Sequence, residues 1–195
     1  VKILRKTLSD NPNYVFLYIE IGKKTKPGTF DIVFQKENEK FTYPYTLKAR
    51  IPGSEDRKSF TAADNLYLLM PDRFVNGDPT NDSIPGYHQG VDRSSLAKRH
   101  GGDMEGVISK IPYLADLGIT ALWTTPFFDN NDFQYSYHHY GCTDYYKIDP
   151  RLGKNEDYPR LSKIAAQNGI KLILDMVPNH CCSNHWWFKD MPDRT

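Results

Sequence analysis

Three short apolar runs, separated by two stretches of helical periodicity, constrain this chain more than any other feature. Leu66-Tyr67-Leu68-Leu69-Met70, Ile119-Thr120-Ala121-Leu122-Trp123 and residues 170–176 are short continuous apolar segments. That pattern marks strands buried on both faces. Between the first two, apolar residues at Met104, Val107, Ile108, Ile111, Leu114 and Leu117 predict one helix over 102–117, with Gly118 placed as its cap. Leu161, Ile164 and Ala165 predict a second helix over 156–167, closed by Gly169. The order β-α-β-α-β predicts a parallel sheet. About thirty residues separate each of the first two strands from its helix, and connections that long in a compact domain are usually functional. Both follow C-terminal strand ends, where α/β folds place their sites.

The segment before residue 53 reads differently. Residues 14–21, 29–34 and 41–47 are β-branched, aromatic or alternating, with Lys26-Pro27-Gly28 between the first two and Pro44 suggesting an edge position for the third. Three such strands predict part of a β-sandwich over residues 1–52, cut at its N-terminal side, because a whole immunoglobulin-like sandwich needs about seven strands. Residues 53–64 are polar and breaker-rich and read as a linker. Residues 65–195 then form the α/β part.

Composition removes several classes. The chain of 195 residues carries 25 Lys plus Arg against 24 Asp plus Glu, so no electrostatic case exists for nucleic acid or an anionic membrane surface. No apolar run approaches the roughly 18 residues of a membrane span. Cys142, Cys181 and Cys182 are odd in number and two are adjacent, which fits free thiols rather than a disulfide framework or a zinc site. The chain starts at Val1 without a visible signal peptide, which leaves its compartment open.

Three loops hold candidate chemistry. Asn76, Asp78, Asn81 and Asp82 crowd the first, with Asp103 after Gly101-Gly102. Convergent oxygens suit a hard cation such as calcium, although the spacing is not that of an EF-hand, and on spacing alone a run of Asx turns is preferred. The second loop carries Tyr135, Tyr137, His138, His139, Tyr140, Asp144, Tyr145 and Tyr146, either a platform for a sugar or base or a tyrosine-rich surface. Adjacent His138 and His139 point apart, against a shared metal. At the third strand's end, Asp175, Asn179 and His180 sit where catalytic or substrate-contacting groups collect; each taken alone reads equally well as structural. Trp186-Trp187-Phe188 reads as packing at the base of a loop.

Taken together, these segments resemble a known family. Asp175-Met176-Val177-Pro178-Asn179-His180 matches the D-x-V-x-N-H motif of the α-amylase family of glycoside hydrolases, and residues 137–145 (YHHYGCTDY) resemble its Y-H-x-Y-x-x-x-D-Y segment. Leu69-Met70-Pro71-Asp72-Arg73-Phe74 looks like its first strand, and Asn76 to Asp82 with Gly101-Gly102-Asp103 resembles the calcium loop of the neopullulanase and cyclomaltodextrinase subfamily. The resemblance implies a (β/α)8 TIM barrel, of which only the first three strands are present, preceded by part of an immunoglobulin-like β-sandwich. It implies an α-glucan hydrolase cleaving α-1,4-glycosidic bonds of pullulan, cyclodextrin, maltooligosaccharide or starch with retention. Tyr140 would stack on the glucose beside the scissile bond, His138 and His180 would bond its hydroxyls, and Asp175 would order the network. Asn76, Asp78, Asn81, Asp82, Gly101 (by its carbonyl) and Asp103 would hold a structural Ca²⁺, reversing the preference drawn from spacing; Asn179 would then have no metal to hold.

The family's nucleophile Asp, acid/base Glu and third Asp follow later strands, so no catalytic residue is expected in this chain, and the isolated 195 residues are expected to be inactive. Partners implied are α-glucan oligosaccharides or polysaccharides, with a homodimer as the candidate assembly. The resemblance suggests the periplasm, whereas free cysteines fit the cytoplasm. Two alternatives remain: a glucanotransferase of the same family, or a non-catalytic sugar-binding or interaction protein on the same scaffold.

Overall fold

A computed structural model of the chain describes residues 1–193; Arg194 and Thr195, the last two positions of the predicted barrel segment, lie outside it. The chain divides into two compact units, one of residues 1–58 with the segment from Met191, the other Ser59–Asp190. The division falls inside the predicted linker. Residues 59–64 belong with the second unit, and residues 191–193 group with the first, where the Asn11 amide donates to the Met191 carbonyl at 2.8 Å.

Among the described residues the first unit holds four strands, not three. β1 (Lys2–Leu8) pairs antiparallel with β2 (Val15–Glu20), and β3 (Gly28–Lys36) pairs antiparallel with β4 (Glu39–Leu47). β1 carries no alternation that marks a buried face, and all seven of its residues are exposed, which is why its sequence does not announce a strand. Glu37, at φ 50°, lies in the two-residue turn between the paired Lys36 and Glu39, the left-handed geometry that tight hairpins demand. These are two separate two-stranded sheets.

The second unit is built on a three-stranded parallel sheet in the order β5 (Leu66–Leu69), β6 (Ala121–Thr124), β9 (Lys171–Ile173). The predicted topology is present, but only the central strand is buried. Ala121, Leu122 and Thr124 are fully covered, whereas Leu66 and Leu68 of β5 remain 40% and 55% exposed, because β5 has a single neighbour. The predicted third strand over 170–176 shortens to three residues.

The first predicted helix is two. α1 (Met104–Ser109) and α2 (Ile111–Asp116) meet at Lys110. Pro112 lacks the N–H that would bond back across the junction, yet suits the first turn of a new helix. Apolar spacing continues through the break, so Met104, Val107, Ile111 and Leu114 still reach one core with Leu122, Leu161 and Ile170. α3 (Asp157–Gln167) covers the sheet through Leu161 and Ala165. The second long loop contains an unforeseen antiparallel ribbon, β7 (Phe128–Asp129) with β8 (Asp144–Ile148). A single turn, α4 (Trp186–Lys189), ends the unit.

At the N-terminal ends of the three strands one carboxylate ties the sheet. Asp64 accepts from Thr120 Oγ1 at 3.0 Å and from Lys171 Nζ at 2.7 and 2.9 Å. The Lys171 ammonium, with the Thr61 backbone N–H, holds its carboxyl down to about 2. No helix among the described residues is long and apolar enough to cross a membrane.

Candidate functional site

At the opposite, C-terminal end of the sheet, Asp175 lies two residues past β9. Its Oδ2 accepts from the Trp123 indole Nε1 at 3.0 Å and from the Tyr140 hydroxyl at 2.9 Å. Burial and the bond to Asp175 push the Tyr140 phenol up to about 12, so it remains a donor. The Tyr140 backbone N–H donates to His138 Nδ1 at 3.0 Å, and the two rings lie 5.7 Å apart at 35°. With Nδ1 accepting, neutral His138 carries its proton on Nε2. Burial lowers the His138 pKa, with Asp132 opposing, which favours that neutral form. Arg73 lies 4.1 Å over the ring of Tyr137, flanking His138.

His180 stands apart: among the described residues no hydrogen bond joins it to His138, Tyr140 or Asp175. Asn179 Nδ2 meets its Nδ1 at 3.2 Å, and its carbonyl accepts from the Tyr145 hydroxyl at 2.6 Å. The same hydroxyl lies 2.7 Å from the Val177 carbonyl, so Tyr145 braces the 177–180 loop. Trp187 packs against Tyr145 and His185, with centroids at 5.4 and 4.6 Å.

His139 is not part of a platform. It is fully buried, with Nδ1 2.9 Å from the Phe128 carbonyl and Nε2 3.0 Å from Arg99 Nη1. Those partners require a neutral ring with the proton on Nδ1. Burial pushes its pKa down to about 3, against the pull of Asp149. Tyr135 and His139, at φ 57° and 63°, bracket the turn over Ser136–His138. Left-handed backbone at non-glycine residues persists only where the surroundings enforce it. Here Arg99 donates to the Ser136 carbonyl at 3.2 Å and Gln89 Oε1 accepts from Ser136 N at 2.8 Å. Beneath them Arg151 grips Asp149 with Nε and Nη2 at 2.9 and 2.7 Å, and the Arg151 guanidinium is the largest influence holding that carboxyl below the ordinary range despite burial.

The first loop closes around Asp103. Its Oδ1 accepts from Gly77 N and Gly106 N at 3.1 and 2.7 Å, and its Oδ2 from Asp78 N at 2.7 Å and Asn81 Nδ2 at 3.4 Å. The carboxylate thus caps α1 and gathers the loop onto it. Asp82 Oδ1 accepts from Asn76 Nδ2 at 2.7 Å, and a Cβ on Gly101, at φ 87°, would fall 2.6 Å from that oxygen. Asp78 is turned to Thr80, whose N–H and hydroxyl it accepts at 3.0 and 2.5 Å. Asn76 Oδ1 and Asn81 Oδ1 are buried with no hydrogen-bond partner. No group of three His, Cys, Asp or Glu side chains that could hold a metal occurs among the described residues. The two orphaned acceptors are amide oxygens, which suit a hard cation.

The family model for the α-amylase catalytic domain matches residues 68–194, which spans the loops and strands just described. The chain belongs to the α-amylase family. Residues 1–51 match the model for the N-terminal region of cyclomaltodextrinases. Among curated α-amylase relatives, neopullulanase 2 of Thermoactinomyces vulgaris is 36% identical over 174 residues, 87% of this chain and 26% of that one. The cyclomaltodextrinase of Thermoanaerobacter pseudethanolicus is 38% identical, covering 77% of this chain and 25% of its own. Among solved structures, an Anoxybacillus α-amylase superposes with a TM-score of 0.59 at 40% identity, over 65% of this chain and 26% of that one. The cyclic α-maltosyl-(1→6)-maltose hydrolase of Arthrobacter globiformis, in complex with that cyclic sugar, gives 0.56 at 34% identity, over 65% and 28%. The chain therefore spans about a quarter of the length of the relatives it matches.

The motif residues Asp175, Tyr140 and His138 come together. The bond from Trp123 to Asp175 and the buried Arg99 beneath the turn escaped the sequence reading. An indole inside an apolar run reads as core, and no spacing rule pairs it with a carboxylate fifty residues on.

Proposed function

We propose that the protein containing this chain hydrolyses α-1,4-glycosidic bonds in α-glucans with retention of configuration, and that this chain supplies part of its sugar site. The observation that carries the reading is the shared Asp175 oxygen, which aligns the Tyr140 ring beside His138 at the mouth of the sheet. A flat phenol flanked by a neutral imidazole donor suits a pyranose face and its hydroxyls. Asp175 acts as an acceptor that orders this network. Retention requires two further carboxyls about 5 Å apart across the bond, and neither role is assigned to a residue here. The sandwich reading of residues 1–52 as immunoglobulin-like is part of the same proposal, supported by the two antiparallel hairpins.

The test is sugar release from pullulan, cyclodextrin and maltooligosaccharides by the full-length protein, with NMR identification of the first-formed anomer. Tyr140→Phe keeps the stacking ring and should cost a few-fold in kcat/KM; Tyr140→Ala loses ring and donor and should cost roughly a hundredfold or more. Absence of hydrolysis, or equal effects of the two variants, would count against the reading.

The same proposal assigns Ca²⁺ to the first loop. Asn76, Asp78, Asn81, Asp82, Asp103 and the Gly101 carbonyl would hold it. The support is the pair of buried, unpartnered amide oxygens on Asn76 and Asn81. A bound cation would pin this loop to α1. Chelation should lower the melting temperature of the full-length protein by several degrees, and Asn81→Ala should abolish that sensitivity. An unchanged melting curve on chelation would remove the metal from the account.

A further inference from the structure

The geometry points to Trp123 as a positioning residue that acts on the sugar site through Asp175. The inference rests on the α-glucan reading above. β6 is the central strand, hydrogen-bonded on both sides, with Trp123 opposite Leu68 on one side and opposite Ile173 on the other. Its ring therefore starts from a doubly anchored backbone. Asp175 is two residues beyond Ile173, just past the end of β9. The indole N–H, a donor with no accepting capacity, reaches Asp175 Oδ2 at 3.0 Å.

Two donors share that single oxygen, Trp123 from the sheet and Tyr140 from the second long loop. Among the described residues no hydrogen bond is made to Oδ1, which leaves it for a ligand hydroxyl. Without the indole, the carboxylate keeps one neutral donor, itself carried by a loop residue, and gains freedom to rotate about its χ angles. Tyr140 would then lose its fixed partner. A partly buried indole N–H ordinarily finds an acceptor; here that acceptor is the carboxylate oxygen that also holds Tyr140, which gives the bond a role in orienting the site.

The experiment measures kcat/KM on a maltooligosaccharide of defined length with full-length protein bearing Trp123→Phe, Asp175→Asn, and both. Phenylalanine keeps the ring and loses the N–H. Loss of one hydrogen bond to a charged group predicts about a tenfold fall for Trp123→Phe. In the Asp175→Asn background the same change should cost less than about twofold, since it removes a bond already weakened. Equal losses in both backgrounds, or an unchanged kcat/KM, overturn the inference. Where Trp123→Phe lowers the melting temperature by many degrees, replacing Trp123 with β-(3-benzothienyl)alanine, which exchanges the N–H for sulfur at nearly constant shape, decides the matter: full activity overturns the inference, a tenfold loss upholds it. No turnover by the unmodified protein overturns the α-glucan reading and this inference together, whereas wild-type turnover by Trp123→Phe overturns this inference alone.

Discussion

At the residue scale, the side chains proposed to meet a sugar are held in place by others that are buried behind them. His138 and His139 are neighbours in sequence with opposite fates. His138 is half-buried with its free nitrogen available; His139 is buried and committed to Arg99 and Phe128. Burial holds His139 at a pKa of about 3, below its ordinary 6.5. The unfolded chain thus binds a proton that the folded one refuses, between those two values. Stability from this residue is complete above about pH 6.5 and is lost as pH falls toward 3. Denaturant midpoints of the full-length protein should therefore drop between pH 6.5 and 4, and His139→Gln, though weaker at neutral pH, should drop less. Parallel slopes would show that another group governs the acid limb. The sequence revealed His138, Tyr140 and Asp175 because they stand in spaced motifs beyond strand ends. Arg99 and Trp123 stayed hidden because the role of each donor is defined by its partner, and the partners lie 40 and 52 residues away.

At the element scale, strand and helix order was legible from periodicity, whereas ends and breaks were not. Periodicity reports which face is buried, and that face stays continuous across Lys110 although the helix does not. The β7–β8 ribbon was invisible because its strands are short and irregularly paired. α1 also makes a demand that only coordinates reveal. A Cβ on Gly106 would lie 1.8 Å from the Val75 carbonyl oxygen, and one on Gly77 would lie 2.3 Å from Gly106 N. The two glycines let helix and loop backbones touch, which is how Asp103 reaches both. Gly106→Ala should destabilise the protein by at least about 2 kcal/mol, in the range of overpacked cores, and loosen the Asn76–Asp82 loop with it. Chemical denaturation checks this; a neutral variant would mean that the loop can step aside.

At the scale of the whole molecule, the two compact units differ in what they leave open. The second has a buried central strand and a well-packed helical side, yet Leu66, Tyr67 and Leu68 of β5, and Leu174 and Met176 beyond β9, remain exposed. Open strand edges with apolar neighbours recruit further strands. Produced as these 195 residues alone, the chain should associate at micromolar concentration and bind a hydrophobic dye. A monodisperse monomer by light scattering would show that its edges are better protected than they look. The knot of Asp64, Thr120 and Lys171 adds a dimension of time. Asp64 and Lys171 are 107 residues apart in the chain. At the pace of bacterial or eukaryotic synthesis, the carboxylate leaves the ribosome roughly 5–20 s before the ammonium that it will hold. For that interval β6 has no β9 beside it, so the nascent chain carries the β5–β6 pair with an open edge past whatever chaperones attend the tunnel exit.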